Sequence, residues 1–514
     1  MFELMGEFYR RLVAFAAIPS VSISTLYILV AMAALIVMRR RKEAKLKLPP
    51  GPRGWPLLGN LLQIGSVPHL GMRKINKKYG PLVYIKIGLV PAVVTDDPTY
   101  VKEFLLKQDR VFASRPRSIA SDYLTYEGND IAFAPYGSHW RSMKRICSAE
   151  LLSPKKVEYT FRQGRNDEMQ CMVNQVLEMA EAGQSINMRD LFASLANNTI
   201  SRMVLGQRYF GPKGAASDLA AQHRAKIYES FSLVNAFNIG DYVPFLRVFD
   251  FQGQERRLRR LMAWIDSFYA GILEQYKVVD ALTESGAPMN FLLRLLSHQS
   301  LTVATIKSII IDMVAAGTDT TSTTSEWTVA ELLHHPDYMT KVREEIESVV
   351  GYERQVEDYD LPRLNVLRAV VKEVFRLHPV GGFLIPHLSM QKTKVGGYDI
   401  PCNTRILINT YALGRNPAVW QDPHEFRPER FLCPSEMKLS LNDSECRIVP
   451  FGAGRRRCPG ATLGSTVLLL GIARLIHLFE WFPANRKERL DEDDMKEAYG
   501  YTVKAQPLQA FAKP

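Results

Sequence analysis

One short segment near the carboxyl end constrains this chain of 514 residues more than any other, Phe451-Gly-Ala-Gly-Arg-Arg-Arg-Cys-Pro-Gly460. Two glycines precede the cysteine, and they permit a tight turn and a close approach of the backbone to a flat ligand. Pro459 is followed by an apolar helical run, and proline suits the first position of a helix. Cys458 is therefore predicted at a helix N-terminus, where the dipole, exposed amides and three arginines favour the thiolate. Such a thiolate makes a good single metal ligand.

The remaining cysteines indicate neither a zinc finger nor a disulfide scaffold. Six cysteines are sparse in so long a chain, and no two of them form a Cys-x-x-Cys pair. An ordinary buried thiol is the alternative for Cys458, and the glycines and arginines around it disfavour that interpretation. We expect the other five to be reduced thiols of a domain that faces the cytosol.

Hydrophobic periodicity predicts a domain that is mainly α-helical with a small β-sheet. Residues 82–97 predict a β-hairpin around a Leu-Val-Pro turn, and short extended pieces follow late in the chain. Strands and helices do not alternate regularly, so a doubly wound sheet is not expected. The helical patterns cover residues 140–150, 160–182, 190–206, 255–277, 302–333, 336–350, 364–377 and 460–478.

The cysteine segment resembles the haem-binding loop of the cytochrome P-450 superfamily, whose pattern is Phe-x-x-Gly-x-Arg-x-Cys-x-Gly. Phe451, Gly454, Arg456, Cys458 and Gly460 fill every specified position. The resemblance implies the cytochrome P-450 fold and a haem b cofactor. It assigns Cys458 as the axial thiolate on the iron, Arg456 to a haem propionate, and Phe451 and Gly460 to the same cofactor loop. Thiolate ligation in this class favours O–O cleavage.

A second motif, Ala-Gly-Thr-Asp-Thr-Thr, lies within the long helical pattern over residues 302–333. Gly317 is expected to let a flat cofactor approach the helix, and Thr320 can bond back to the carbonyl four residues earlier. Asp319 is an acid in an apolar helix and so a candidate for a perturbed pKa. A Thr-rich exposed face is the alternative. The motif is similar to the oxygen-activating groove of the superfamily, which implies that Asp319 and Thr320 deliver protons.

A third motif pairs Glu373 with Arg376, three residues apart and therefore on one face of a helix. An ordinary surface ion pair, which contributes little to stability, is the alternative. In the superfamily such a pair joins a further arginine, and the triad stabilises the core near the haem. The segment Phe-Arg-Pro-Glu-Arg-Phe supplies Arg430 as that partner. The resemblance therefore assigns these three residues a structural role.

The segment Trp140-Arg-Ser-Met-Lys144 resembles the Trp-x-x-x-Arg pattern of the superfamily, whose two ends approach a haem propionate. Lys144 keeps the charge but lacks the planar fork of arginine. Arg141 and Arg145 are candidates to compensate. His387 occupies a place where the superfamily often has a propionate-binding arginine or histidine, and a satisfied core histidine is the alternative. Trp140, Lys144 and His387 are thereby assigned to cofactor binding.

The N-terminus predicts a membrane anchor. Leu12 to Met38 contains no charged residue and is long enough to cross a bilayer as one helix. Residues 39–47 hold six basic residues against one acidic, a net charge of +5 that should stay cytosolic. A cleaved signal peptide is the alternative, disfavoured by the long apolar stretch and the basic stop. The expected organisation is an anchor over residues 1–38, a basic junction and proline-rich hinge over 39–60, and a single large haem domain over 61–514.

The net charge of +12 fits nucleic acid, an anionic membrane or an acidic protein partner. Five of these charges belong to the membrane junction, and no other basic stretch is interleaved with aromatics, so nucleic acid is not expected as a partner. Residues 455–457 and Lys144 are expected to help attract an acidic partner.

Residues 231–251 are apolar and aromatic without a helical period, which predicts either a buried loop or a surface element that dips into the membrane lipid.

Taken together, the anchor, hinge and ordered motifs resemble the microsomal plant enzymes of the superfamily. The segments FLIPHLSMQKTKVGGYDIP and RILINTYALGRNPAVW resemble most the in-chain fatty-acid (laurate) hydroxylases of spore and pollen wall formation. The resemblance implies a monooxygenase that inserts one oxygen atom from O2 into a C–H bond of a medium-chain fatty acid such as lauric acid, for sporopollenin precursors. It places the enzyme in the endoplasmic reticulum membrane, with the catalytic domain on the cytosolic face.

The electrons are expected from NADPH through a separate flavoprotein, the NADPH–cytochrome P-450 reductase, because the chain contains no nucleotide- or flavin-binding segment. A flavonoid or other phenolic hydroxylase is the first alternative. A haem-thiolate isomerase or dehydratase and a haem sensor or carrier are further alternatives. Neither needs an acid-threonine pair, so Asp319 and Thr320 disfavour both. The small apolar substrate is expected to meet a wall without charge, formed by residues 381–384.

Overall fold

The computed structural model describes residues 46–208, 218–280, 290–433, 441, 443–484, 488–498 and 502–514. The predicted anchor over residues 1–38, and the first residues of the junction, lie outside these ranges. The chain divides into two compact units. The described part of the first comprises residues 46–49 and Lys394–Ile400, where the Asp399 amide donates to the Lys47 carbonyl at 2.7 Å. The second comprises Pro50–Thr393 and Pro401–Pro514.

The second unit is mainly α-helical, as predicted. Its helices are Leu61–Ile64, Pro68–Tyr79, Pro98–Lys102, Ile119–Leu124, Ser138–Cys147, Arg162–Glu181, Met188–Leu205, Asp218–Asn235, Gln254–Asp280, Phe291–Ser297, Val303–His334, Pro336–Val350, Asn365–Leu377, Thr410–Leu413 and Ala461–Leu478. Single π-helical turns lie at Glu103–Lys107, Ser148–Leu152 and Lys156–Thr160, and 3-10 turns at Ile239–Asp241, Pro244–Phe249, Leu361–Arg363, Pro428–Phe431 and Gly454–Arg456. All eight helices predicted from periodicity are present. The shorter helices, and Asp218–Asn235, were not among them.

The strands are few and short. They are β1 Leu82–Ile87, β2 Val90–Thr95, β3 Ile186–Asn187, β4 His387–Leu388, β5 Thr393–Val395, β6 Tyr398–Ile400, β7 Arg405–Ile408, β8 Glu480–Pro483 and β9 Gln509–Lys513. They form a four-stranded sheet in the order β1-β2-β7-β4, a three-stranded sheet β3-β9-β8 and the pair β5-β6. β7 is parallel to β2 and antiparallel to β4, which places His387 opposite Ile406 at a sheet edge.

The predicted hairpin forms, but its turn lies earlier than the Leu-Val-Pro segment. Val90 pairs with Ile87, so the turn is Gly88-Leu89 and the proline belongs to β2. Gly88 has φ 59°, the left-handed conformation that two-residue hairpin turns require. Pro91 lies one residue before the pairing with β7 begins at Ala92, so its missing N–H removes no bond to that strand.

The helix Val303–His334, called here the long helix, runs through the core. It begins where the Thr302 side chain accepts the Thr305 amide at 3.2 Å. Gly317, which was expected to let a flat cofactor approach the helix, lies against a neighbouring helix instead of an open space. A Cβ added to it would lie 3.3 Å from the Ile200 side chain, so the glycine lets the long helix pack closely on Met188–Leu205.

The helix Ala461–Leu478 follows the cysteine segment and forms much of the remaining core. Among the described residues it is the one helix long and apolar enough to cross a membrane. Two thirds of it is buried against the rest of the protein, as in the core helix of a soluble domain. Its position explains why an apolar run follows Cys458, because the helix anchors the cysteine segment to the interior.

Candidate active site

The cysteine segment forms a tight turn that depends on its glycines. Gly452 and Gly454 have φ 62° and 64°, a conformation that other residues rarely adopt. A Cβ on Gly454 would also lie only 1.9 Å from the Leu105 carbonyl oxygen. The turn is closed by the Cys458 amide, which donates to the Phe451 carbonyl at 2.8 Å. The Phe451 ring packs edge-on against another aromatic ring of the core, 5.6 Å between centroids.

Cys458 is exposed at the end of this turn, but the helix does not begin where the sequence predicted. The first helical residue is Ala461, and Gly460 is the N-cap, with its carbonyl accepting the Gly464 amide at 2.8 Å. Pro459 therefore precedes the helix and does not occupy its first position. Cys458 lies three residues before the helix, held by the turn rather than by the first helical residues.

The charge environment of Cys458 differs from the expected one. Burial among protein atoms raises the pKa of the thiol, and this outweighs the lowering by the Gly460 amide, Arg457 and Lys144. Arg456, counted among the stabilising charges from the sequence, makes its hydrogen bonds elsewhere. A thiol of this kind becomes a thiolate when it binds a metal ion, because the ion displaces the proton. The site therefore fits a metal ligand better than a free nucleophile.

Arg456 turns inward and binds three backbone carbonyls. Its guanidinium donates to Ala113 at 2.6 Å, Ala134 at 2.5 Å and Ile131 at 3.3 Å. The Trp140 ring lies 4.2 Å from the same guanidinium, and its indole N–H donates to the Ile131 carbonyl at 3.0 Å. That N–H is the only donor of the side chain, and here the Ile131 carbonyl accepts it, so Trp140 packs on Arg456 and supports it. The assignment of Trp140 to cofactor binding stays a prediction.

A second enclosed arginine, Arg115, was not singled out by the sequence. It is buried, and its guanidinium donates to the carbonyls of Ile385 at 2.6 Å, Pro386 at 3.0 Å and Ala132 at 3.3 Å. Burial lowers the pKa of Arg115 to about 9 and that of Arg456 to about 10. Within the described ranges neither forms an ion pair. The buried Asp130 lies near both arginines and opposes this lowering. Enclosed cations are costly without a paired anion, so two such guanidiniums near an exposed cysteine fit the two carboxylates of a haem.

His387 lies in the same region, and its side chain already makes a hydrogen bond within the protein. Its Nδ1 is 2.8 Å from the Phe112 carbonyl, a contact in which the ring nitrogen carries the proton and donates. Burial, with Arg115 and Arg456 nearby, lowers the pKa of His387 well below its usual value. The imidazole is therefore neutral, and its Nδ1 is satisfied in the way the core-histidine alternative predicts.

Lys144 lies outside this enclosed group. Its ammonium donates to the Arg455 carbonyl at 2.5 Å and sits 5.1 Å above the Trp140 ring. Burial and the neighbouring Arg456 lower the pKa of Lys144. Together with Arg141 and Arg145 it lines a basic surface cavity of about 350 Å³. The attraction of an acidic partner to this surface stays a prediction.

Glu373, Arg376 and Arg430 come together as predicted. Both oxygens of Glu373 accept from Arg376 at 2.7 Å, and Arg430 donates to the same carboxylate at 3.2 Å. Glu373 and Arg376 have no exposed surface, so the pair is not an ordinary surface ion pair. The remaining guanidinium N–H groups of Arg376 reach the Gly414, Pro423 and Glu425 carbonyls, 2.6 to 2.7 Å away. The cluster therefore joins Asn365–Leu377 to the segment that follows the helix Thr410–Leu413.

Asp319 and Thr320 lie on an accessible part of the long helix. The Thr320 hydroxyl donates to the Ala316 carbonyl at 2.6 Å, as predicted, and the helix continues without a break. Burial raises the pKa of Asp319 to about 6, with Arg189 opposing this rise. Ala316 is exposed and Asp319 and Thr320 are partly exposed, although Thr318 on the opposite side is buried. Accessible residues in the middle of a core helix indicate an internal cavity along this face.

Comparisons with known proteins were consistent with one another. The sequence profile of the family Cytochrome P450 matches residues 49–510. Cytochrome P450 703A2 of Arabidopsis thaliana is 42% identical, over 91% of this chain and 92% of the relative. Cytochrome P450 703A2 of Oryza sativa subsp. japonica is 40% identical, over 96% and 95%. Flavonoid 3'-monooxygenase CYP75B137 of Crocosmia x crocosmiiflora is 37% identical, over 93% and 95%.

A solved structure shares the fold. The structure of a zebrafish cytochrome P450 with abiraterone superposes with a TM-score of 0.72 at 27% sequence identity. The match covers 88% of this chain and 99% of the other.

Proposed function

The chain belongs to the cytochrome P450 family, and on this basis we propose that it hydroxylates a medium-chain fatty acid, such as lauric acid, within the alkyl chain. Its fold and family make it a monooxygenase with haem b and a cysteine ligand on the iron, supplied with electrons from NADPH through a reductase. The assignment of the substrate rests on sequence similarity to the relatives. The two relatives named 703A2 are 42% and 40% identical, above the 37% of the flavonoid 3'-monooxygenase.

The proposed roles follow from the positions of the residues. Cys458 supplies the thiolate, and Arg115 and Arg456 bind the propionates, since both are enclosed cationic groups that form no ion pair in the described part of the chain. Trp140 supports Arg456 through its ring, and the neutral His387 lies near both arginines. When bound, the haem activates O2 for insertion of one oxygen atom into a C–H bond, and thiolate ligation favours O–O cleavage. Partly accessible residues of the segment 380–385, none of them charged, provide the apolar wall for an alkyl chain.

Proton delivery is assigned to Asp319 and Thr320. A carboxyl with a pKa of about 6 is protonated in about a tenth of the molecules at pH 7, against about a thousandth for an ordinary aspartate, so it exchanges protons readily near neutral pH. The acid form is complete below that pKa and is lost as the pH rises through it. The Thr320 hydroxyl donates its hydrogen to the Ala316 carbonyl, so the lone pairs of its oxygen are free to accept a hydrogen bond from Asp319 or from water and to hold that donor in the groove.

Thr320→Ala is expected to lower the product formed per NADPH oxidised by at least about 10-fold, while NADPH oxidation continues, because proton transfer in the groove loses its relay. Product is measured by mass spectrometry and NADPH by absorbance, in the reconstituted system. Thr328→Ala is the matched control, since the Thr328 hydroxyl makes the same bond to a carbonyl four residues earlier, at 2.7 Å, in a fully buried position. An undiminished yield in Thr320→Ala contradicts the assignment.

The substrate proposal is tested with the full-length protein, reductase and NADPH. We expect lauric acid to give a hydroxylaurate that carries the new hydroxyl within the chain. A flavanone is offered in parallel, and its conversion in place of lauric acid supports the phenolic alternative. Conversion of a fatty-acid hydroperoxide without reductase or NADPH supports the isomerase alternative. A product that needs NADPH and the reductase excludes a haem carrier.

A membrane location on the cytosolic face of the endoplasmic reticulum is proposed from the predicted anchor and from a second surface. Residues 231–251 are not the buried loop that was one of the two expectations, because residues 231–235 complete the helix Asp218–Asn235 and most of residues 244–251 are exposed. Val248, Phe249 and Phe251 are 87%, 62% and 69% exposed, and Phe249 and Phe251 stack on each other. Contiguous exposed apolar side chains mark sites of protein or membrane contact. We assign this surface to lipid, as an interfacial element.

Phe249→Trp in the full-length protein, placed in lipid nanodiscs, is expected to gain fluorescence that spin-labelled lipids quench. An indole at an interface lies within reach of the lipid chains. Tyr352→Trp is the control, because Tyr352 is 78% exposed on a segment without an apolar surface of this kind. Equal quenching at both positions, measured against the parent protein, contradicts the lipid contact.

A further inference from the structure

A carboxyl group opens into the internal cavity of the long helix at a position that the proposed catalytic groups do not occupy. Asp312 lies four residues before Ala316 and eight before Thr320, and therefore on the same helix face. It is partly accessible, whereas the helix residues on either side of it, Ile311 and Met313, are buried. At 1.5 Å per residue, Asp312 is about 12 Å from Thr320 along the helix axis.

Only one oxygen of this carboxyl is used by the protein. Oδ2 accepts the amides of Ile131 at 2.9 Å and Ala132 at 3.2 Å, and so ties the segment around them to the long helix. Across the described residues, Oδ1 has no hydrogen-bond partner. The same segment carries the carbonyls that bind Arg456 and Trp140. Asp312 is therefore held in place on one side and open on the other.

The charge around Asp312 favours the neutral acid. In the described part of the chain it forms no ion pair, and burial together with the nearby Asp130 raises the pKa of Asp312 well above its usual range. A neutral carboxyl donates an O–H bond as well as accepting one. On a helix face that also carries the apolar Ala316, such a donor is a strong anchor for a polar head group. A hydrogen bond to a charged oxygen is stronger than one between neutral groups.

We propose that Asp312 is a specificity-determining residue that binds the carboxyl group of the fatty acid through its open oxygen. The anchor fixes the head group, and the helix spacing from Asp312 to Ala316 and Thr320 then sets which carbons reach the oxygen groove. A carbon several bonds from the carboxyl, in the middle of a chain as long as that of lauric acid, meets this condition. The inference rests on the fatty-acid hydroxylation proposed above.

The first measurement uses the unaltered holoenzyme. Saturated acids of 10, 12 and 14 carbons are hydroxylated with reductase and NADPH, and the position of the new hydroxyl is found by mass spectrometry. We expect the main position to stay constant when counted from the carboxyl. A position that stays constant when counted from the methyl end overturns the anchor.

The second measurement compares lauric acid with dodecane, which has the same chain length but no head group, by the spectral shift each causes at the haem. Asp312→Leu is expected to raise the Kd of lauric acid at least 10-fold and that of dodecane less than about 3-fold. Asp312→Asn keeps an oxygen for the two amides and offers an N–H donor, so both Kd values are expected within about 3-fold of the parent.

Ser308→Ala is the matched control, because Ser308 lies one turn earlier on the long helix and also ties it to another segment, with its hydroxyl donating to the Thr125 carbonyl at 3.2 Å, but it is buried. This variant is expected to change the Kd values of lauric acid and dodecane by the same factor. If Asp312→Leu also weakens both equally, Asp312 acts only as a tether for the loop and the inference is wrong. If Asp312→Leu does not retain haem, the chain-length series decides alone. A parent enzyme that does not hydroxylate lauric acid overturns the proposed function itself, an outcome that is distinct from equal weakening in a variant of an active enzyme.

Discussion

Cys458→Ser is expected to abolish the thiolate-type absorption band of the reduced, carbon monoxide-bound protein and to remove NADPH-dependent hydroxylation. The loss should exceed the roughly 10–100-fold effect of removing a residue that only supports a metal ligand. A serine hydroxyl does not ionise in this environment, where burial already raises the pKa of the more acidic thiol. The turn itself should persist, since its glycines and the Cys458 amide bond to Phe451 do not involve the sulfur.

The matched control is Cys402→Ser. Cys402 is exposed, and its thiol contacts the Met390 carbonyl at 3.2 Å, a contact that a hydroxyl also makes. This variant is expected to keep the spectrum and activity of the parent. A thiolate-type spectrum in Cys458→Ser would falsify the ligand assignment and require another cysteine. Cys147 and Cys446 are poor candidates because both are buried, whereas Cys458 is exposed and can reach a ligand outside the protein core.

Local patterns predicted the elements that depend on neighbouring residues. The long helix and Ala461–Leu478 follow from apolar periodicity, and the turn before Cys458 follows from two glycines that must adopt positive φ. The bond from Thr320 to Ala316 spans one helical turn and was also predictable. Small errors arose where two local signals compete. The hairpin turn lies at Gly88 and not at the Leu-Val-Pro segment, because a two-residue turn requires the positive φ that glycine adopts easily, whereas proline fixes φ at a negative value.

Contacts between distant parts of the chain could not be predicted in the same way. Arg115 binds carbonyls 270 residues away, and Asp312 binds amides 180 and 181 residues earlier. No spacing rule connects such partners. Burial cannot be read from the local sequence either. It raises the pKa of the Cys458 thiol, whereas the neighbouring arginines and the helix dipole were expected to lower it. Gly317 shows the same limit, since its neighbour Ile200 belongs to another helix.

Glu373→Gln is expected to be the most damaging change outside the haem ligand. The Arg376 guanidinium is fully buried and would keep its carbonyl contacts but lose its only anionic partner within the described residues. Breaking a buried ion pair by removing one partner costs about 3–5 kcal/mol. That is a large share of the 5–15 kcal/mol that stabilises a typical domain. The expected result is a lower yield of haem-containing protein and an unfolding midpoint shifted to lower urea, followed by haem absorbance.

Asp337→Asn is the comparison that separates a buried pair from ion pairs in general. Asp337 and Lys341 are 3.5 Å apart on the helix Pro336–Val350, and both are more than half exposed. Water screens such a pair, so its loss should change the free energy of unfolding by less than about 1 kcal/mol. Arg430→Gln should fall between the two, because Arg430 is partly exposed and its loss leaves the Glu373–Arg376 pair intact. Equal midpoints for Glu373→Gln and Asp337→Asn would mean that water reaches the triad and that its burial does not stabilise the core.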